Sequence, residues 1–122
     1  MTPFGAVCRQ LREIHCVSMR TQAVAISVSP SYLSALERGV RGTPSNRIIM
    51  SIAKYYSLSA EKYQELRRAA EESTPNFTLP KGSHPKVYRI ARLITQRADN
   101  LSEKEIKLLE DVLIDERAMG GI

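Results

Sequence analysis

Three sets of side chains in this 122-residue chain have types and spacings suited to chemistry. The first is Cys8, His15 and Cys16. Its cysteines stand two helical turns apart and a fourth ligand is missing, which makes a poor metal site. The second is the carboxylate pairs Glu110-Asp111 and Asp115-Glu116. At helical spacing beside Lys107 they read as a solvated helix face. His84, alone in a proline-rich stretch, has no sequence partner and reads as solvated too. The third set is hydroxyl and guanidinium: Ser29, Ser31, Tyr32 and Ser34 in one run, then Arg38 and Arg41, with Arg20 and Arg47 to either side. Guanidinium groups pair with phosphates, and hydroxyls donate or accept. Recognition of an anion is therefore the chemistry on offer. There is no glycine-rich phosphate loop, nucleophile elbow or metal-ligand spacing, so neither an enzyme nor a cofactor is expected.

Charge points the same way. Eighteen lysines and arginines against 13 acids give a formal charge of +5. Residues 1–58 hold seven basic and two acidic residues, while residues 59–122 hold eleven of each. The whole excess lies in the first half, which suggests an anionic partner there and a different task for the second half. Two cysteines make no disulfide framework, no apolar run reaches the roughly 20 residues of a membrane span, and the N-terminus has no secretory pattern. A cytoplasmic protein with no membrane partner is expected.

The elements that must position these groups are helical. Phe4, Val7, Cys8, Leu11 and Ile14/His15 recur at helical spacing over about residues 3–15. Ser18 is placed to cap a short helix from Met19 to Ile26, with Met19, Ala23 and Ile26 as its buried stripe. Ser29-Pro30 starts a third helix that ends at Arg38, before Gly39, with Leu33 and Leu36 inward. Ser45 caps a fourth, about 46–56, with Ile48, Ile49, Ile52, Ala53 and Tyr56 apolar. Ser59 caps a fifth, about 60–73, with Tyr63, Leu66 and Ala70 facing the core. Residues 74–85 contain three prolines and read as a linker or extended arm. Two helices follow, about 86–97 and 102–117, the second opened by the capping box Ser102-x-x-Glu105. The tail Gly120-Gly121-Ile122 reads as frayed. The expected fold class is all-α, with domains at 1–73, a linker at 74–85 and a helical hairpin at 86–122.

Two short consecutive helices joined by a three-residue break form the arrangement of a helix-turn-helix. The stretches Leu11-Arg12, Val17-Ser18, Ala23, Ser27-Val28-Ser29-Pro30-Ser31-Tyr32-Leu33-Ser34-Ala35-Leu36-Glu37-Arg38-Gly39, Pro44, Ile48, Ile52-Ala53 and Tyr56-Ser57-Leu58-Ser59 resemble the lambda-repressor-like, Cro-type (XRE) helix-turn-helix family. The resemblance covers about residues 4–70. It implies a five-helix DNA-binding domain whose recognition helix, about 30–38, enters the major groove of double-stranded DNA. On that match Ser29, Pro30, Ser31, Tyr32, Ser34 and Ala35 face bases and nearby phosphates, Ala35 at most a thymine methyl. Arg38 and Arg41 fall at the helix end and the loop beyond it, Arg20 in a phosphate-contact region, and Arg47 near the next helix start. Arg12 and Glu37 match a pair that forms an ion pair between helices in part of the family. Cys16 and Ser27 stand where glycine is usual, at a cost of ~1 kcal/mol each. The recognition helix is poor in Gln, Asn and Arg, which shifts recognition toward phosphates, DNA shape or water.

In the second half, residues 81–98 are basic and residues 99–117 carry seven acids against three bases. Opposite charge on adjacent helices favours antiparallel packing or exchange between subunits, and suits a protein surface better than DNA. Two amphipathic helices cannot bury both apolar faces alone. Residues 86–117 are therefore expected to dimerise through Tyr88, Leu93, Leu101, Ile106, Leu109, Val112 and Leu113, with docking on the first domain as the alternative. The functional expectation is a sequence-specific transcriptional regulator, most simply a homodimeric, often autoregulatory repressor of mobile-element type, bacterial or phage- or plasmid-borne, on an inverted-repeat operator. The alternatives are an activator, or an antitoxin-type protein that neutralises a partner protein through Phe77 and Leu79 or the C-terminal helices.

Overall fold

The computed structural model describes residues 1–115, and among these it is all-helical, with seven helices and no strand. They are α1 (Pro3–His15), α2 (Met19–Ala25), α3 (Pro30–Arg38), α4 (Asn46–Tyr55), α5 (Ala60–Glu72), α6 (Pro85–Arg97) and α7 (Glu103–Leu113). Each start is fixed by a side chain accepting a first-turn amide: Thr2, Ser18, Ser29, Ser45, Ser59, His84 and Ser102 in order. His84 is exposed, as expected of a solvated residue, and its Nδ1 accepts from the Lys86 amide at 3.0 Å. The last helix was expected to run to Arg117; it ends at Leu113, with Ile114 as cap. Residues 116–117 and the glycine tail lie outside the described residues.

The chain divides into two compact units, Met1–Phe77 and the residues from Thr78 onward. In the first, Phe4, Cys8, Leu11, Ala23, Ile26, Leu33, Leu36, Ile48, Ile49, Ile52, Tyr56, Leu66 and Ala70 form one core. The stripe of α1 departs from its expected course: Ile14 is 65% exposed and His15 lies outside the core, its ring 4.8 Å from that of Tyr56. In the second unit, α6 and α7 bury no residue and pack sparsely on each other.

Two turns carry the expected strain. Cys16 has φ 54° and Ser27 φ 61°, both in the left-handed region where glycine is favoured, and Ser57 joins them at 51°. Gly39, at φ 80°, closes α3 by donating to its last carbonyls. The crossing of α1 over the end of α3 is close enough that a Cβ on buried Gly5 would meet the Glu37 carbonyl. That carbonyl accepts from both the Thr2 amide (3.0 Å) and the Thr2 hydroxyl (2.9 Å), which satisfies a helix-end acceptor without water.

Candidate nucleic-acid interface

The face of α3 follows from its helical angles. With Leu33, Leu36 and Glu37 buried, positions 31, 34 and 38 fall within about 60° of one another on the opposite side, at 100° per residue. Ser31 and Arg38 are exposed and Ser34 is half-buried. Ala35 lies on the same side of the helix, about 40° from Ser31, but is only 9% exposed, so little of its methyl is open. Ser29 is exposed, and its hydroxyl accepts from the Tyr32 amide at 3.1 Å, which commits one lone pair to capping. Pro30 is half-buried in the first turn.

Tyr32 is 36% exposed, and the Arg41 guanidinium stands 5.8 Å from its ring centroid. This cation–π contact ties the loop beyond α3 back to the start of the helix. Sequence spacing did not indicate it, since the two residues are nine apart and straddle the turn at Gly39. Arg20, Arg38, Arg41 and Arg47 are all exposed and have no ion pair among the described residues. Of the other cations of this unit, Arg9, Arg12 and Lys62 are each paired with a glutamate, whereas Lys54, Arg67 and Arg68 are likewise exposed and unpaired among the described residues. The first turns of α2, α3 and α4 contain no acidic residue, so their amide ends keep their positive potential. Uncompensated cations, hydroxyls and helix amide ends thus share the α2–α4 region.

Beneath this face lies a buried polar cluster. Arg12 grips Glu37 in bidentate fashion, Nη1 to Oε2 at 2.6 Å and Nη2 to Oε1 at 3.0 Å, with side chains 11% and 3% exposed. The hydrogen bonds to Glu37 hold the Arg12 pKa above its ordinary value. Arg12 Nη1 also donates to Gln22 Oε1 (3.4 Å), which accepts from the Tyr56 hydroxyl at 2.7 Å. The cluster therefore links α1, α2, α3 and the end of α4, and it fixes α3 against the scaffold. Burial pushes the Tyr56 hydroxyl up to about 12, and burial together with the Glu37 charge does the same to the Cys8 thiol. Gln22 and Tyr56 as cluster members escaped the sequence reading. The available signal was position: Gln22 lies on the helical stripe of Met19, Ala23 and Ile26, where a polar side chain needs a partner.

The expected dimerisation residues are spread over α6, α7 and the turn between them. Tyr88, Leu93, Ile106, Leu109, Val112 and Leu113 are exposed and Leu101 is half-buried. Ile90, Leu93, Ile94, Leu101 and Leu109 line one apolar groove. Tyr88 falls outside it. No described helix is long and apolar enough to cross a membrane, and no cluster of His, Cys, Asp or Glu among the described residues is arranged to hold a metal ion.

Compared with known proteins, residues 9–63 match the family model described as helix-turn-helix. The match spans α2, α3 and α4 entire, with the second half of α1 and the first turn of α5. No curated protein and no solved structure matches the chain.

Proposed function

Residues 9–63 belong to the lambda-repressor-like, Cro-type helix-turn-helix family of DNA-binding regulators, and from that premise we propose a homodimeric repressor that reads an inverted-repeat operator with α3 in the major groove. The observation that carries this reading is the outer arc of α3. Ser31, Ser34 and Arg38 stand on it, Arg41 is stacked on Tyr32 beside it, and none of the arginines around it is neutralised. In this reading Arg20, Arg38, Arg41 and Arg47 hold phosphates and set the register. Ser31, Tyr32 and Ser34 offer hydroxyls to base edges, directly or through water. Ser29 and Pro30 shape the helix entry, and Ala35 offers at most a small apolar contact beside Ser31. The Arg12–Glu37 pair positions the helix and takes no part in chemistry.

The second copy would be recruited through the apolar faces of α6 and α7, which the described structure leaves uncovered. Two α3 helices would then enter half-sites about one helical turn apart, and occlusion of a promoter would repress. A protein of this kind works in the cytoplasm. A second reading, an antitoxin-type regulator, is favoured by one feature: Phe77, 80% exposed, directly precedes the second unit. Co-purification with a partner encoded beside it would select that reading.

The test is a footprint on the DNA upstream of its own gene, taken through a salt series. A protected inverted repeat, with affinity falling steeply as salt rises, is expected. Arg41→Ala should weaken binding to all sequences and flatten the salt slope, whereas Ser34→Ala should change sequence preference. Absence of any protected site at low salt would contradict the reading. For the dimer, Leu109→Asp in the full chain should shift sedimentation from dimer to monomer; an unchanged dimer would place the interface elsewhere.

A further inference from the structure

Residues 74–98 contain no aspartate or glutamate, yet they carry Lys81, Lys86, Arg89, Arg92 and Arg97. Pairing with the acidic α7 was the expected use of that charge. Arg97 alone meets it, with Nη2 2.9 Å from Glu105 Oε2. Lys81, Lys86, Arg89 and Arg92 are exposed and have no ion pair among the described residues. On its side, α7 satisfies Asp111 with its own Lys107 and engages Glu105 in its capping box. The charge of α6 is therefore not consumed by the hairpin.

Its placement is directional. At 100° per residue, Arg89 and Arg92 lie on the side of α6 away from Val87, Ile90 and Ile94, with Gln96 between them; Lys86, in the first turn, falls between Leu93 and Ile90. A second copy covering the apolar side would leave Arg89 and Arg92 facing outward, with Lys86 exposed at the N-terminal end of the helix. The first turn of α6 has no acid to offset its amide end. Lys86 to Arg92 spans about 9 Å of helix axis, along which duplex DNA presents about five phosphate charges at one per ~1.7 Å. The segment 74–85 reaches at most about 40 Å when extended, slightly over one helical turn of DNA. The α6 cations are therefore tethered at high effective concentration to any duplex the first unit holds.

We propose that Lys86, Arg89 and Arg92 of α6, with Lys81 of the preceding segment, form a second contact to DNA phosphates, independent of sequence and flanking the half-site read by α3. The proposal rests on the DNA-binding reading of the first unit. It assigns to the second unit a share of affinity in addition to self-association.

The experiment compares the full chain with its Lys86→Gln/Arg89→Gln/Arg92→Gln variant on an unrelated duplex about four helical turns long, measuring binding through a salt series. We expect the slope of log affinity against log salt to shrink by about 0.9 for each lost contact, a total of two to three. Affinity should fall by the same factor on every duplex sequence, with sedimentation and melting unchanged because the three side chains are exposed. Arg89→Lys/Arg92→Lys should keep the wild-type slope, since the contact needs charge and not fork geometry. An unaltered slope in the triple variant would overturn this proposal alone. So would weakening confined to one sequence, or tighter binding of the wild type to phosphatidylserine vesicles than to the duplex at equal salt. No salt-dependent binding of the wild type to any duplex would overturn the reading beneath it as well.

Discussion

Helices α5 and α6 have the same length, 13 residues, and each begins behind a side-chain cap, Ser59 in one and His84 in the other. Yet α5 buries Leu66, Ala69 and Ala70, while α6 buries nothing. The same contrast separates the units. Among the described residues every buried apolar side chain lies between Phe4 and Ala70, whereas Val87, Ile90, Leu93, Ile94, Ile106 and Leu109 remain open to solvent. Local signals are as good in the second unit as in the first, and α7 even has a complete capping box. What differs is the number of faces that can close on one another. Five helices enclose a core, while two leave half of each surface uncovered. The first unit closes its core within one chain, whereas in the second the apolar faces of α6 and α7 stay open among the described residues.

The contrast can be broken first at the polar cluster, where the largest effect is expected. Arg12→Met leaves Glu37 charged and buried, a change that costs about 3–5 kcal/mol. The first unit should melt more than 10 °C lower, at roughly 4–8 °C per kcal/mol. Adding Glu37→Leu should recover much of the loss. If Arg12→Met alone melts like the wild type, the cluster does not hold α3.

Next comes Gly5→Ala, whose new methyl meets the Glu37 carbonyl. Overpacking of this kind costs about 1–3 kcal/mol. A melting temperature within a degree of wild type would show that α1 and α3 can part without penalty. Cys16→Gly works in the opposite direction. It relieves a left-handed backbone worth about 1–2 kcal/mol, and gives back part of that through a more flexible unfolded chain, for a net gain of ~0.5–1 kcal/mol. Loss of stability would mean the thiol packs in a way its exposure does not indicate.

The smallest effect belongs to the second unit. Glu105 is held below its ordinary 4.5, first by the Ser102 amide of the capping box and then by Arg97. A lowered folded value means that the carboxylate's contribution is complete above the ordinary value and is lost as pH falls through the lowered one. Amide shifts of residues 103–106 should therefore hold steady at pH 5 and above and report fraying of α7 only in more acidic solution. Glu105→Gln should keep the cap and lose the Arg97 pair. Fraying that begins near neutrality would contradict this.

Much of this architecture was legible because caps and periodicity are local. Ser29-Pro30 and Gly39 bound α3 at the residues expected, and the left-handed turns at Cys16 and Ser27 fell where glycine was missed. What stayed hidden depends on contacts distant in sequence. The hydroxyl of Tyr56 meets Gln22 across 34 positions, and the Arg41 guanidinium reaches Tyr32 by folding back past Gly39. Helical position puts Ala35 on the outer side beside Ser31, but its low exposure was not legible from that position alone. The charge of α6 was read from composition as a match for α7, and only side-chain positions separate Arg97, which is paired, from Arg89 and Arg92, which are not.

In the proposed regulator α3 and its neighbouring arginines form the DNA-binding face. Amide chemical shifts of the labelled full chain, followed during titration with duplex DNA from upstream of its own gene, test it most directly. The largest changes should fall at Ser29–Ser34, Arg38–Arg41, Arg20 and Ser45–Arg47, with Ile14 and Leu58 on the α1–α5 side unmoved. Changes concentrated on the α1–α5 side, with α3 unaffected, would contradict it.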